Sequence, residues 1–158
     1  IIIPRHIDRA KKIEKLAKNY GLDVAMLNKD KIIEESKEIV VVDAFGHLQK
    51  YFSICYDVFI GKSLLKKFSS KGGQNPIEAA KSGCKIYHGP YVYNFDEVYS
   101  ELAKLNISFK VSNSNELVEK LFQSYSNNNN LKLKNLEKLN IYGEKILNAN
   151  INIIETYL

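Results

Sequence analysis

Cysteine, arginine and long apolar runs are scarce in this sequence of 158 residues. It holds two cysteines, Cys55 and Cys84, which are too few for a disulfide framework and lack the spacing of a metal site. These counts exclude a small disulfide-stapled secreted fold and a zinc module, and we expect both thiols to be reduced and buried. No apolar run approaches the roughly 20 residues that cross a bilayer, and no signal-peptide pattern opens the chain, so we expect a soluble fragment.

Lysine is abundant instead. The chain has 23 basic and 18 acidic residues, a formal net charge of +5, and only Arg5 and Arg9 are arginines. A basic balance without a clustered stripe permits nucleic-acid binding but does not indicate it, so we expect no nucleic-acid partner. The sequence opens on Ile1 rather than methionine, and inside an apolar run. This start favours a piece of a longer protein, whose function would be shared with a missing part.

Short β-branched runs alternate with helical stretches along the chain, which is typical of a parallel sheet with crossover helices. We therefore predict an α/β fold, a Rossmann-like, doubly wound parallel sheet of about six strands, over residues 1–125. Residues 126–158 are predicted to form a helical tail, interrupted at Gly143, that packs on this domain or on a missing N-terminal domain. The predicted strands cover residues 1–3, 24–27, 39–42, 58–60, 85–87 and 107–111.

In such sheets, ligands bind outside the carboxyl ends of the strands. Four segments fall there, residues 4–6, 43–46, 61–78 and 89–95, and we expect them to cluster in space. No Walker motif and no GxGxxG occurs, which disfavours ATP hydrolysis and ordinary NAD binding. The three histidines, His6, His47 and His88, lack ligand-like spacing, so no metal site is expected.

The segment around Gly72 and Gly73 has two interpretations. Two glycines let backbone approach a ligand, and a helix beginning near Asn75 would point free N–H groups at an anion, as in a phosphate or carboxylate site. Alternatively, Asn75 and Glu78 form a capping box with a purely structural role. The role of Arg5 also has two interpretations. A guanidinium that follows a strand can bind a phosphate bidentately, or it can form a surface ion pair.

Five motifs, in this order, resemble the C-terminal half of the Kdo transferases, bacterial enzymes that add 3-deoxy-D-manno-octulosonic acid (Kdo) to the lipid A precursor. They are Pro-Arg-His at 4–6, Asp-Ala-Phe-Gly-His-Leu at 43–48, Phe-Ile-Gly-Lys-Ser-Leu at 59–64, Gly-Gly-Gln-Asn-Pro-Ile-Glu-Ala-Ala at 72–80 and Gly-Pro-Tyr-Val-Tyr-Asn-Phe at 89–95. The match covers residues 1 to about 122. The chain departs from the family pattern at four positions: Ala44 replaces Thr, His47 replaces Glu, Lys62 replaces the second Gly, and Gln74 replaces His.

The resemblance implies one half of a GT-B glycosyltransferase, in which two Rossmann-like domains face each other across a cleft. It implies the donor CMP-Kdo, a metal-independent reaction without a cofactor, and a full-length enzyme at the cytoplasmic face of the bacterial inner membrane. The catalytic base and the surface for the lipid A precursor would lie in the missing N-terminal domain, so the fragment alone would be inactive.

The resemblance also assigns donor-binding roles. Arg5, with His6 beside it, would neutralise the phosphate of the leaving CMP, and Glu78 would accept hydrogen bonds from the ribose. The remaining donor-binding residues are the anion-binding Gly72, Gly73 and Asn75, the pocket-shaping Gly46, Gly61 and Ser63, and Asn94, which would flank the sugar. Two other readings stay open: a non-catalytic nucleotide-binding Rossmann module, and another GT-B transferase that uses a UDP-sugar.

Overall fold

The structure is a computed structural model of the chain, and it describes residues 1–28, 36–44, 46, 48–125 and 131–157. The chain divides into two compact units, Ile1–Leu48 and Gln49–Leu158. Both units are built from parallel strands and flanking helices, which confirms the predicted α/β class. The predicted boundary between residues 125 and 126 adjoins residues outside the described ranges, and that division stays a prediction.

The first unit is a small parallel sheet covered by one helix. A 3-10 turn, Ile7–Arg9, leads into α1 (Ala10–Asn19), and the strands β1 (Val24–Leu27) and β2 (Ile39–Val42) pair in parallel. Helix α1 packs on this sheet around Ala10, Ala17, Val24 and Val41. The last three residues of β2 are almost fully buried, as expected for a continuous β-branched run in a parallel sheet.

Residues 1–3, predicted as a strand, form a single parallel bridge. Ile2 N–H donates to the Val40 carbonyl at 2.8 Å, and Val42 N–H donates to the Ile2 carbonyl at 2.9 Å. Five strands and this bridge thus account for the six predicted strand segments. The described strands form two hydrogen-bonded sheets, one in each unit, so the prediction of one six-stranded sheet is corrected in that respect.

The second unit carries the larger sheet, in the order β3-β4-β5, with all strands parallel. The central strand is fully buried at Ile86 and Tyr87, and the core on the sheet includes Ile60, Tyr99 and Ile107. The elements along the chain are α2 (Leu48–Ile54), β3 (Asp57–Ile60), α3 (Ile77–Lys81), β4 (Lys85–His88), α4 (Asp96–Lys104), β5 (Ser108–Lys110), α5 (Ser114–Tyr125) and α6 (Leu131–Glu155), with 3-10 turns at Lys66–Phe68 and Tyr93–Phe95.

The long helix α6 runs through Gly143 without a break, so the predicted interruption there is wrong. A single glycine costs a helix about 1 kcal/mol relative to alanine, which a helix of 25 residues tolerates. The first part of α6 is tied to the unit by side-chain hydrogen bonds. Lys132 Nζ donates to the Phe52 and Ser53 carbonyls at 2.7 Å, and Tyr142 OH donates to Glu101 Oε2 at 2.9 Å.

Both cysteines are free thiols, as predicted. Cys84 is fully buried, its Sγ donates to the carbonyls of Phe52 and Cys55 at 3.3 Å, and burial raises the pKa of this thiol to about 11. Cys55 is only half-buried, so the prediction of two buried thiols is corrected for this residue.

None of the helices in the described ranges combines the length and the apolar character that crossing a membrane requires.

Candidate functional site

Three loops of the second unit meet beyond the carboxyl ends of β3 and β4. They are residues 61–63, 72–75 and 89–94, and main-chain hydrogen bonds join them. Gly73 N–H donates to the Lys62 carbonyl at 2.9 Å, and Tyr91 N–H donates to the Ser63 carbonyl at 2.8 Å. Asn94 N–H reaches the Gly72 carbonyl at 3.4 Å. The structure therefore brings together segments that are up to about 30 residues apart in sequence, as the strand order predicts.

Ser63 holds two of these loops in place. Its side chain is fully buried, and its Oγ donates to the Ile60 carbonyl at 2.7 Å and accepts from Gly89 N–H at 2.9 Å. The hydroxyl hydrogen of Ser63 therefore already forms a hydrogen bond within the protein. The structure gives Ser63 a supporting role at the site, which its serine identity alone did not reveal.

The glycines of the loop cluster are explained by close packing of backbone on backbone. A Cβ at Gly72 would lie 2.3 Å from the Tyr91 carbonyl oxygen, and a Cβ at Gly89 would lie 2.2 Å from the Ser63 carbonyl oxygen. Gly73 combines a φ of +86° with Val92 Cα only 2.8 Å from the position of its missing Cβ. These residues must be glycine for the three loops to meet, whether or not a ligand is bound.

The di-glycine loop leads into α3 through an Asn turn. Asn75 Oδ1 accepts a hydrogen bond from Ile77 N–H at 2.9 Å, so the Asn75 half of the predicted cap is present. Glu78 is exposed and its carboxylate makes no hydrogen bond within the described ranges, so the other half of the predicted capping box is absent. This leaves the Glu78 carboxylate accessible. Asn94 is also exposed at the rim of the cluster.

The predicted residues Arg5, His6 and Gly46 belong to the first unit. Arg5 and His6 are exposed just before the turn Ile7–Arg9, and the His6 carbonyl accepts from Arg9 N–H at 3.1 Å. Arg5 has no ion-pair partner in the part of the chain that the structure describes, and its role stays a prediction. Gly46 follows β2, with a φ of +86° and open space around it. His47 lies outside the described residues.

Two further residues at the loop cluster escaped the sequence analysis as site residues. His88 ends β4, is 5% exposed, lies 4.2 Å from the Tyr99 ring between centroids, and has Nδ1 2.8 Å from the Gly89 carbonyl. Burial lowers the pKa of His88 below its ordinary value. Lys62 has a φ of +58°, in the left-handed region. Lys62 could have been found from the sequence, because it replaces a glycine of the family motif. The sequence analysis treats His88 only as a possible metal ligand.

The described residues contain no group of three or more histidine, cysteine, aspartate or glutamate side chains that could hold a metal ion. The cluster instead offers main-chain N–H groups. Gly73 N–H donates to the Lys62 carbonyl, whereas the N–H groups of Gln74 and Asn75 donate to no described residue. Two adjacent free amides beside exposed polar side chains form a local environment that suits an anionic ligand.

Parallel strands, alternating helices and a loop cluster at the strand ends define a Rossmann-like α/β domain. The crystal structure of the C-terminal CMP-Kdo binding domain of WaaA from Acinetobacter baumannii has the same fold, with a TM-score of 0.71 over 87% of this chain and 72% of that one, at 20% identity. No protein-family model matches the chain.

Three relatives of known name match the chain in sequence. The chain is 30% identical to the 3-deoxy-D-manno-octulosonic acid transferase of Rickettsia typhi over its whole length, and 30% identical to that of Aquifex aeolicus over 92% of its length. It is 31% identical to a bifunctional glycosyltransferase/methyltransferase of Fusobacterium nucleatum over 98% of its length. It spans 34% and 39% of the first two relatives, about a third of their length. The resemblance to the Kdo transferases is thereby confirmed.

Proposed function

We propose that this chain is the donor-binding domain of a glycosyltransferase that moves Kdo from CMP-Kdo to a lipid A precursor in lipopolysaccharide biosynthesis. The observation that carries the proposal is the similarity of the whole chain to Kdo transferases, together with the fold of a domain that binds CMP-Kdo. The whole enzyme would work at the cytoplasmic face of the inner membrane. The lipid acceptor and the catalytic base would belong to an N-terminal domain, so this chain alone would transfer nothing.

The proposed reaction develops negative charge that the domain must stabilise. Transfer breaks the bond between the anomeric carbon of Kdo and a phosphate oxygen, and CMP leaves with that bond's electron pair. A guanidinium stabilises the growing negative charge without a metal ion, so the proposed reaction needs no cofactor. Arg5 would fill this role with His6 as a second donor, which fits an exposed arginine that has no ion-pair partner among the described residues.

The loop cluster would bind the rest of the donor. The free N–H groups of Gln74 and Asn75 would meet phosphate or carboxylate oxygens, and the accessible Glu78 carboxylate would accept from ribose hydroxyls. Gly46, Gly61 and the buried Ser63 would shape the nucleotide pocket, and Asn94 would flank the sugar. The close backbone packing at Gly72 and Gly73 supports this arrangement, because it fixes the neighbouring amides before a ligand arrives.

Titration with CMP, followed by NMR, tests the proposal. We expect the amide signals of Arg5 and Asn75 to shift at millimolar CMP, and UMP to bind more weakly. Loss of the shifts in Arg5→Ala, but not in the matched control Arg9→Ala, would assign the phosphate to Arg5. An absence of shifts near both residues contradicts the proposal. Tighter binding of UMP than of CMP favours a transferase for a UDP-sugar, and CMP binding by a whole protein that lacks Kdo transfer favours a nucleotide-binding module.

The second part of α6 would dock on the N-terminal domain. The first part is held by Lys132 and Tyr142, but residues 144–157 are exposed throughout. Their apolar side chains are 40–86% exposed: Ile146, Leu147, Ile151, Ile153, Ile154 and Tyr157. At 100° per residue, the five that belong to α6 lie on one face of the helix, and the buried Asn135 lies at the edge of that face; Tyr157 follows the helix. The relatives are about three times as long as this chain, which leaves ample protein to cover this face.

Substitution in the whole protein tests this docking. We expect Ile151→Asp with Ile154→Asp to lower the thermal stability and the transferase activity of the whole protein, because two charges would enter an apolar contact. Asn148→Asp, on the opposite face of α6, is the control and should change neither. The same double substitution in the present chain should leave its stability unchanged. Unchanged whole-protein stability in the double variant would contradict docking.

A further inference from the structure

Lys62 occupies a backbone conformation that lysine does not favour. It follows β3 and Gly61 with a φ of +58°, in the left-handed region where a Cβ crowds the neighbouring carbonyl oxygen. The other non-glycine residue described there is Asn106, with a φ of +56°, and asparagine tolerates this region. Lys62 is held in place because its carbonyl accepts the Gly73 N–H at 2.9 Å. The Kdo transferase motif that residues 59–64 resemble has glycine at this position, so the lysine adds a side chain where the motif has none.

The loop that begins at Lys62 is strongly basic. Residues 61–74 contain the four lysines Lys62, Lys66, Lys67 and Lys71 and no acidic residue. None of the four forms an ion pair with a described residue. Lys67 Nζ lies 5.3 Å from the centroid of the Phe68 ring, so one of the four charges makes a cation–π contact. The excess of positive charge within residues 61–74 attracts an anion.

Lys62 differs from the other three lysines in its position. Its main chain belongs to the loop cluster itself, because its carbonyl binds the second glycine of the di-glycine loop, and its side chain is half-buried. Lys66, Lys67 and Lys71 are exposed further along the loop. A lysine carries its ammonium on a flexible four-carbon stem. The stem of Lys62 starts from a main chain that is hydrogen-bonded to Gly73, the residue directly before the free amides of Gln74 and Asn75.

We propose that Lys62 binds the negative charge of the nucleotide-sugar donor. The inference rests on the proposed function and adds a residue to it. Residues in unfavourable backbone conformations persist where the surrounding structure enforces them, and they concentrate at functional sites. Lys62 adds a positive charge where the three loops meet, and its backbone is strained there. Glycine at this position would relieve the strain and remove the charge.

Four variants of the chain separate the charge of Lys62 from its backbone effect. Lys62→Met removes the charge and keeps the stem, and Lys62→Gly also removes the strain. Lys66→Met and Lys66→Gly are the matched controls, because Lys66 lies in the same loop, is exposed, and belongs to an ordinary 3-10 turn. Calorimetry would give the Kd of each variant for CMP and for CMP-Kdo at low and moderate salt, and a thermal scan would give its Tm.

We expect both Lys62 variants to raise the Kd about three- to tenfold and to weaken its salt dependence, whereas Lys66→Met changes the Kd less than about twofold. Weakening for both ligands places the phosphate at Lys62, and weakening for CMP-Kdo alone places the sugar carboxylate there. We also expect Lys62→Gly to raise the Tm by about 2 °C and Lys66→Gly to lower it.

Three results would overturn the inference. If the unsubstituted chain binds CMP and both Lys62 variants bind both ligands equally well, Lys62 has no role, while the proposed function stands. If Lys66→Met weakens binding as much as Lys62→Met, the effect belongs to the general charge of the loop. If the unsubstituted chain binds neither ligand at millimolar concentration, the proposed function fails and the role of Lys62 fails with it.

Discussion

The hydroxyl oxygen of Ser63 accepts the main-chain N–H of Gly89 at 2.9 Å, across 26 residues of sequence. The same hydroxyl donates to the Ile60 carbonyl at 2.7 Å, and both Ser63 and Ile60 are buried. This pair joins the loop after β3 to the loop after β4. The geometry of the candidate site therefore depends on a side chain that itself needs no contact with a ligand.

Ser63→Ala should destabilise the chain by about 1–3 kcal/mol, because it leaves the Gly89 N–H without its partner in a buried place. Ser70→Ala is the matched control. Ser70 is exposed in the following loop, and its substitution should change the free energy of unfolding by less than about 0.5 kcal/mol. Urea unfolding of the three proteins measures both effects. Equal midpoints for Ser63→Ala and the unsubstituted chain would show that the two loops do not depend on this hydroxyl.

Gly72→Ala should destabilise the chain by about 3 kcal/mol or more, because the new Cβ would lie 2.3 Å from the Tyr91 carbonyl oxygen and 2.6 Å from that of Phe68. Both contacts are with backbone, so no side-chain rotation relieves them. Gly61→Ala, at a position with open space around it, should be neutral within about 1 kcal/mol. Thermal unfolding compares the pair. Similar losses in the two variants would mean that the loops do not pack as closely as the structure has them.

The strands and the loop cluster could be predicted from sequence because both follow from local signals. Runs such as residues 39–42 are β-branched and continuous, which predicts a buried parallel strand, and parallel strands place their following loops at one edge. The glycine pair also marked a close approach of backbone. The glycines approach the main chain of Tyr91 and Val92, which lie about 19 residues further along the chain. No local pattern in the sequence predicts this contact.

Most of what sequence reasoning missed depends on contacts between residues far apart in the chain. Ser63 was predicted to shape the nucleotide pocket, but the two main-chain partners of its hydroxyl could not be found in the sequence. Glu78 completed the spacing of a capping box, yet its carboxylate stays free. Gly143 looked like a helix end, but the hydrogen bonds of Lys132, Asn135 and Tyr142 anchor the helix on its N-terminal side and outweigh the low helix propensity of one residue.

Asn135→Ala should cost about 1–2 kcal/mol. The Asn135 side-chain amide is 5% exposed and donates to the Gly83 carbonyl at 3.2 Å, so alanine leaves both a small cavity and an unpaired carbonyl. Asn150→Ala is the control on the same helix. Asn150 is exposed and donates to the Ile146 carbonyl of its own helix, and alanine is the better helix former. Denaturant unfolding should show a loss for Asn135→Ala alone; equal stability of the two variants would contradict the anchoring of α6 at Gly83.

The stability of the chain should depend on pH through His88. Burial is the largest influence on its pKa and lowers it from the ordinary 6.5; Lys110 lowers it further, while the Gly89 carbonyl and Asp96 act in the opposite direction. At pH values well above the ordinary pKa of 6.5, His88 is neutral in both the folded and the unfolded chain. As the pH falls through this value, the unfolded chain takes up a proton that the folded chain does not yet bind, so the free energy of unfolding decreases.

His88→Gln removes this titration and keeps a side chain that can donate to the Gly89 carbonyl. We therefore expect the decrease in unfolding free energy between about pH 7.5 and about pH 5 to be smaller in His88→Gln than in the unsubstituted chain. His6→Gln, at an exposed position, is the control and should follow the unsubstituted chain. Urea unfolding at several pH values measures the three slopes. If His88→Gln and the unsubstituted chain lose stability in parallel, His88 binds its proton as readily in the folded chain as in the unfolded chain, which contradicts its burial.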